Sequence, residues 1–556
     1  MKKIQIGISD FKELIQGNYY FVDKSMFIKE FIDDGSKVML IPRPRRFGKT
    51  LNMSMLKYFF CNIKNETNLF KGLEIEKEKE IMTLQGQFPV LFFSFKEAKA
   101  KTYEEFIYKV KEILAYEYEK HSYLLESTKL SNYEKEEYKR FMERKAEAIE
   151  YETSIKRLMN YLNKHFDKEV IVLIDEYDIP IQDGYLHDYY EKVVGFMRNL
   201  LSAALKDNIN LYKGILTGIL RVSKESIFSG LNNIIVYNLT MREYSSYFGF
   251  TENEVVNLLN YFNVRTLEEL KKWYNGYRFG ELNIYNPWSI LNAVKFSNDI
   301  LKPYWANTSS NDLIKDILAN GSSIVKVELE SLINGEKLVK VINDNIVMNE
   351  ITQNAENLWS FLLFSGYLRA ENTEAREDRV YCTLDIPNRE VKYIYEEIIS
   401  KWFRDKVNND EFSQMLKALT LGDMETFEMI FEEIIDKTFS YFDVSGESEK
   451  FYHGFVLGML VALKDTHEVK SNKESGYGRY DVMIIPKDKK QLGIIIEFKK
   501  VNKKRETLES AVDKALIQIE DKNYESELLN MGIKNILKIA IAFEGKKVMI
   551  KEYNCN

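Results

Sequence analysis

The stretch Ile41-Pro42-Arg43-Pro44-Arg45-Arg46-Phe47-Gly48-Lys49-Thr50 decides how this chain is read. An apolar run, Lys37-Val38-Met39-Leu40, leads into it, and Leu51-Asn52-Met53-Ser54-Met55-Leu56 follows with helical periodicity. Strand, tight loop, Gly-Lys-Thr and helix together make the layout of a phosphate-binding loop. A helix N-terminus offers unpaired N–H groups and partial positive charge, both suited to a polyphosphate. Gly48, Lys49 and Thr50, with Arg46 and Phe47 in the same loop, are therefore the expected nucleotide contacts. The lysine reaches the outer phosphates and the Thr50 hydroxyl sits on Mg²⁺. The usual pattern is G-x-x-x-x-G-K-[ST], and Arg43 stands here at the first glycine position.

Working outward, Glu169-Val170-Ile171-Val172-Leu173-Ile174-Asp175-Glu176-Tyr177-Asp178 is a continuous apolar run ending in acids. It reads as a strand buried on both faces, with its acids at the carboxyl end where open α/β sheets place ligands. Asp175 is expected in the Mg²⁺ shell and Glu176 as the group that polarises water. Pro89-Val90-Leu91-Phe92-Phe93-Ser94-Phe95 is a further strand between the two in sequence. An extra strand, with Glu following Asp, is the arrangement of additional-strand ATPases rather than GTPases. Leu211-Tyr212-Lys213-Gly214-Ile215-Leu216-Thr217-Gly218 is another buried strand, whose Thr217 is placed either to sense a terminal phosphate or merely to end the strand. Arg221 could supply charge in cis, and Ile234-Ile235-Val236-Tyr237 is the expected last core strand.

At 556 residues the chain exceeds one ordinary core. Its 45% hydrophobic and 29% charged residues fit a globular protein and argue against disorder. The cysteines Cys61, Cys382 and Cys555 are scattered, which suggests neither a disulfide framework nor a zinc site. The N-terminus lacks the apolar region of a signal peptide, and no apolar run approaches a membrane span, so a cytoplasmic location is expected. A net charge of −7 does not advertise nucleic-acid binding, yet a local basic patch is all that phosphate contacts need.

Pattern changes divide the chain into three. Residues 1–240 are the nucleotide domain, with a helical insertion around 101–165 expected to sit outside the sheet as a lid or docking arm. Residues 241–440 are helical with aromatic turns. Within them, Trp359 to Leu368 followed by Tyr381-Cys382-Thr383-Leu384 suggests a winged-helix-like element, read as a spacer for want of a basic recognition helix. Asn286-Pro287 marks a turn and Ser289 is a candidate cap for the next helix.

Residues 441–556 hold a second constellation. After an amphipathic helix around Glu449–Leu460 comes Tyr480-Asp481-Val482-Met483-Ile484-Ile485-Pro486, then Leu492-Gly493-Ile494-Ile495-Ile496-Glu497-Phe498-Lys499. Alternate strand residues share a face, so Glu497 and Lys499 point the same way, and pairing of the two strands brings Asp481 to them. Two carboxylates can hold Mg²⁺, which activates water against a phosphodiester, while the lysine stabilises developing charge. The next helix carries Gln518 on a polar edge and leads to Tyr524. Leu537 to Phe543 then closes the sheet.

Taken together, the Arg43–Thr50 loop, Asp175-Glu176-Tyr177-Asp178, Tyr285-Asn286-Pro287-Trp288-Ser289 and Ser475 to Asp481 resemble the bacterial AAA-ATPase-like proteins with a C-terminal PD-(D/E)XK nuclease domain. Arg43 in place of glycine is that family's habit. The resemblance implies an α/β multidomain protein: a P-loop additional-strand ATPase core, a winged-helix-like middle and a restriction-endonuclease-like α/β C-terminal domain. It implies ATP and Mg²⁺ at Gly48, Lys49, Thr50, Asp175 and Glu176. It also implies a nuclease site at Asp481, Glu497 and Lys499, with Glu449 as a further member, Mg²⁺ or Mn²⁺ as metal and DNA as the expected partner. ATPases of this class often form rings, which leaves a homo-oligomer open. The alternative function is a nucleotide-dependent assembly switch whose C-terminal domain binds nucleic acid or a protein without cleaving.

Overall fold

The computed structural model describes all residues except 1, 63–66, 221–232, 306–313, 315–316, 319–322, 334, 345–347, 349–350, 352–354, 407–408, 439–455, 457–458, 464, 472–473, 476–477, 502–505, 545–546 and 556. Arg221, Glu449 and most of the expected Glu449–Leu460 helix lie outside the described residues. The chain forms two compact units, residues 1–313 with 339–391 and residues 314–338 with 392–556. The region 241–440 is divided between them.

The first unit is built on five parallel strands: β1 (Val38–Pro42), β2 (Val90–Ser94), β3 (Val170–Asp175), β4 (Leu211–Gly218) and β5 (Ile234–Val236). They lie in the order β2-β3-β4-β1-β5. Every residue of β1 and β3 is buried, as continuous apolar runs covered on both faces must be. The strand that separates β1 from β3 in space is β4, while β2 is the edge strand beside β3. Sequence order had pointed to β2, because strand order in a sheet is settled by crossovers that local pattern does not carry.

The insertion is helical, as expected, with helices Tyr103–Lys120, Asn132–Met142 and Ser154–Phe166. It is not a free arm. The first helix buries Phe106, Val110, Leu114 and Tyr118, and the buried Glu117 carboxylate accepts the Phe92 amide of edge strand β2 at 3.0 Å. Helix Ser154–Phe166 is the crossover that feeds β3, and its Leu158, Met159 and Leu162 are buried. The edge that β2 would otherwise offer is thus covered.

Beyond the sheet, β6 (Phe250–Thr251), β7 (Tyr277–Phe279) and β8 (Leu282–Tyr285) form a small antiparallel sheet in the order β6-β8-β7. Helix Pro287–Lys295 follows, capped by Asn286, whose Oδ1 accepts the amides of Trp288 at 2.9 Å and Ser289 at 3.4 Å. The cap is therefore Asn286 rather than Ser289, since proline at the first helical position leaves Asn286 as the residue before it. Helix Ala355–Phe364 ends where Gly366 turns with φ +85°. The wing-like part is β9 (Leu338–Val341), β10 (Arg369–Arg376) and β11 (Arg379–Asp385), ordered β10-β11-β9.

In the second unit, β12 (His467–Ser471) precedes a two-residue ladder of β13 (Glu474–Ser475) and β14 (Gly478–Arg479). The main sheet adds β15 (Val482–Pro486), β16 (Gly493–Lys500), β17 (Ile536–Glu544) and β18 (Lys547–Cys555), in the order β12-β15-β16-β17-β18. Only β16 and β17 are parallel, and helix Leu508–Lys522 makes the crossover between them. The expectation that Leu537–Phe543 closes the sheet is amended, because β18 pairs beyond it. Among the described residues no helix is long and apolar enough to cross a membrane.

Candidate functional site

At the end of β1 the chain enters the loop through Arg43, whose amide donates to Gly218 O at the tip of β4 at 2.9 Å. The Arg43 side chain turns away from the loop and is completely buried. Its Nη1 donates to Pro42 O at 2.8 Å and Tyr237 O at 2.7 Å, and the guanidinium lies between the Phe248 and Phe279 rings, 5.3 and 5.5 Å from their centroids. Burial alone pulls its pKa down to about 9. Arginine at the glycine position is therefore a strut that ties the loop to residues 237–279. Phe47 does the same: its fully buried ring packs on Tyr277 and Phe279, and its carbonyl accepts the Gly249 amide at 3.0 Å.

Gly48, with φ +85°, makes the turn into helix Lys49–Phe60. That left-handed conformation is costly for a residue with a Cβ. The opening amides of such a helix have no intrahelical acceptor, so they remain for an anion. Lys49 Nζ donates to Arg43 O and Pro44 O, both at 3.0 Å, and burial lowers its pKa against the pull of Glu176 and Asp175. Asp175, fully buried at the end of β3, accepts Thr50 Oγ1 on Oδ2 at 2.7 Å and Thr217 Oγ1 on Oδ1 at 2.6 Å. Burial and the neighbouring Glu176 raise its pKa, and the two hydroxyls oppose that rise. One carboxylate thus gathers residues 50, 175 and 217 from three separate segments. Glu176 takes φ +52° and lines the cavity above the loop.

That cavity measures about 560 Å³. The loop residues Arg45–Asn52 form one side of it, and Ile6, Ile8, Val22, Phe250, Trp288 and Leu291 contribute apolar wall. Arg46, with φ +68°, holds its guanidinium over the Trp288 ring, 4.3 Å from the centroid.

Asp178, the last acid of the run after β3, is a structural residue to which sequence reading gave no role. It is buried, and its Oδ2 accepts the amides of Ile219 at 2.8 Å and Leu220 at 3.1 Å and the Gln182 side chain at 3.0 Å. Tyr177 Oη donates to Leu220 O at 2.6 Å. The exit of β4 is thereby latched to the loop after β3. Its sequence signal was the apolar-then-acidic ending, but nothing local revealed that the partner amides lie some forty residues on.

In the second unit, β15 and β16 pair as expected, with Val482 opposite Ile496. Asp481 Oδ2 accepts the Phe498 amide at 2.8 Å, which brings it beside Glu497. Glu497 is almost wholly buried, and its pKa is pushed up to about 8 by burial first and by Asp481 next. Lys499 Nζ lies 3.6 Å from Glu497 Oε1, and Gln518 Nε2 donates to the same oxygen. Gln518 also reaches Tyr524 Oη at 3.4 Å. Glu497 Oε2 is buried and accepts no hydrogen bond among the described residues.

A divalent cation fits both places on this chemistry. At the first, the Thr50 hydroxyl and an Asp175 oxygen already converge; at the second, a buried carboxylate oxygen lacks a donor beside another carboxylate. Among the described residues, no group of three or more histidine, cysteine, aspartate or glutamate side chains is gathered for a metal.

Comparison with known proteins agrees with this two-part layout. Residues 5–228 match the family model described as predicted AAA-ATPase, and residues 447–553 match that of the PD-(D/E)XK nuclease superfamily. The chain is 26% identical over 545 residues, 96% of this chain and 94% of the relative, to an uncharacterized protein in the vnfD 5′ region of Azotobacter chroococcum. A Walker-type ATPase of Pyrococcus abyssi aligns over 71% of this chain and 98% of its own, at 13% identity and a TM-score of 0.32. The chain carries an AAA-ATPase-like domain and a PD-(D/E)XK nuclease-superfamily domain, in that order.

Proposed function

We propose that the first unit binds and hydrolyses ATP and that the second cleaves DNA with Mg²⁺, the nucleotide state governing cleavage. The observation that carries this reading is a pair of buried carboxylates, Asp175 at the end of β3, which feels the charge of Lys49, and Glu497 within β16, with Lys499 Nζ 3.6 Å away. Lys49 leaves the carbonyls of its own loop for the outer phosphates. Thr50 and Asp175 hold the metal, Glu176 orients the attacking water, and Thr217 reports the terminal phosphate through its bond to Asp175. In the second unit Asp481 and Glu497 hold the metal, Lys499 stabilises developing charge and Gln518 orients Glu497. Mg²⁺ at these places would neutralise phosphate charge and lower the pKa of a bound water.

A second reading, the nucleotide-dependent switch, draws on Lys49, whose ammonium is held by the carbonyls of Arg43 and Pro44. A triphosphate would draw it off them, which would give the lysine two positions. The discriminating experiment is cleavage of labelled single- and double-stranded DNA and RNA with Mg²⁺ or Mn²⁺, with and without ATP, alongside Lys49→Ala and Lys499→Ala. Cleavage of DNA that is lost in Lys499→Ala and altered by ATP only when Lys49 is present supports the coupled enzyme. ATP binding without cleavage under any condition supports the switch.

A further inference from the structure

The cavity beside the phosphate loop is lined by Gly48, Lys49 and Thr50 and also by the apolar side chains of Ile6, Ile8, Val22, Leu291 and Trp288. The Trp288 side chain is only half-buried. It is nonetheless fixed: Nε1 donates to Tyr304 O at 3.3 Å, the Asn286 cap holds its amide, and the next residue, Ser289, donates to the buried Glu390 carboxylate. Gly7, with φ +93°, carries the N-terminal segment close to the ring edge, where an added Cβ would stand 3.9 Å from Trp288 Cζ3. Among the described residues the charged group over the ring is Arg46, which comes from the phosphate loop itself.

We propose that Trp288 is the stacking surface for the base of a purine nucleotide, and that Arg46 covers the ring until the nucleotide's phosphates draw the guanidinium away. The inference rests on the nucleotide reading above and names the part of the cavity that selects the base. A guanidinium over an aromatic face is held by a modest attraction, whereas on a phosphate it makes charge-assisted, often bidentate hydrogen bonds. An incoming triphosphate therefore wins the arginine and uncovers the ring. A purine offers the larger π-face to an indole, so base and arginine exchange places on one surface. Arg46 is a binding residue for phosphate and Trp288 for the base.

The test uses the full chain and two readouts, calorimetric affinity and tryptophan emission. The ligands are ATP, UTP and inorganic tripolyphosphate, and the variants are Trp288→Leu, Trp288→Phe and Arg46→Ala. Loss of stacking should weaken ATP about tenfold in Trp288→Leu. Tripolyphosphate affinity should be unchanged there, and Trp288→Phe should stay within about threefold of wild type because a ring remains. Arg46→Ala should weaken ATP and tripolyphosphate together. The chain has five tryptophans, and the ATP-induced emission change should vanish in Trp288→Phe, which isolates this ring. Equal weakening of ATP and tripolyphosphate in Trp288→Leu would mean a structural role and would overturn the proposal. So would an emission change that survives in Trp288→Phe, or equal affinity of the wild type for ATP and UTP. If the wild type binds neither ATP nor tripolyphosphate, the nucleotide reading itself fails and this inference with it.

Discussion

Replacing Glu390 with glutamine should remove a pH dependence that the wild-type fold carries. Glu390 is fully buried, and it accepts Ser289 Oγ at 2.8 and 3.0 Å and the Trp305 amide at 2.6 Å. These donors are neutral, and the titratable side chains that feel its charge are the tyrosines Tyr274, Tyr277 and Tyr304. Burial raises its pKa from 4.5 to about 7, opposed by the amide and hydroxyl bonds. The folded value lies above the unfolded one, so the folded state binds the proton more tightly. The resulting stabilisation is full below about pH 4.5 and is lost as pH rises through about 7. From 4.5 to about 7 the difference between the protonation states is worth about 3 kcal/mol, an upper bound for one site. Glutamine keeps the shape and one acceptor oxygen without the charge. Urea unfolding should be followed by tryptophan emission at pH 5 and pH 8, since Trp305 touches the carboxylate and is itself buried. The variant should lie within about 1 kcal/mol of the wild type at pH 5 and exceed it at pH 8 by up to about 3 kcal/mol. Parallel pH dependences in the two proteins would refute the argument. Glu390 would then be charged throughout.

Four further outcomes follow from the sites. Thr217→Val removes one of the two hydroxyls on Asp175 while keeping volume, and should lower ATP turnover roughly tenfold or more; unchanged steady-state turnover would return Thr217 to the role of a strand end. Gly218→Ala places a methyl 2.6 Å from Asp178 Oδ1 and 2.9 Å from the Tyr177 ring. That overpacking should destabilise the first unit by about 1–3 kcal/mol in denaturant unfolding, and an unshifted transition would mean the latch yields freely. Asp481→Asn should abolish nucleic-acid cleavage and leave ATP hydrolysis near the wild-type rate. Gln518→Ala should slow cleavage without abolishing it, and loss of both activities in a folded Asp481→Asn protein would show that the two sites do not act separately.

The sequence by itself determined the features that are short in range. The β1–loop–helix unit, the acidic end of β3 and the shared face of Glu497 and Lys499 each follow from periodicity and backbone geometry within about ten residues. These are enough to point to an ATPase-like and a nuclease-superfamily domain and to propose where each site would lie. Tertiary structure decided everything that joins distant segments: β4 between β1 and β3, Asp175 shared by Thr50 and Thr217, and Asp481 against the Phe498 amide. It also decided that Arg43, which stands at the glycine position, is a buried strut, and that Trp288 faces a loop some 240 residues earlier. An arginine in a polar loop reads as exposed. Only the aromatic rings of Phe248 and Phe279 and the carbonyls of Pro42 and Tyr237, brought together by the fold, make its burial affordable.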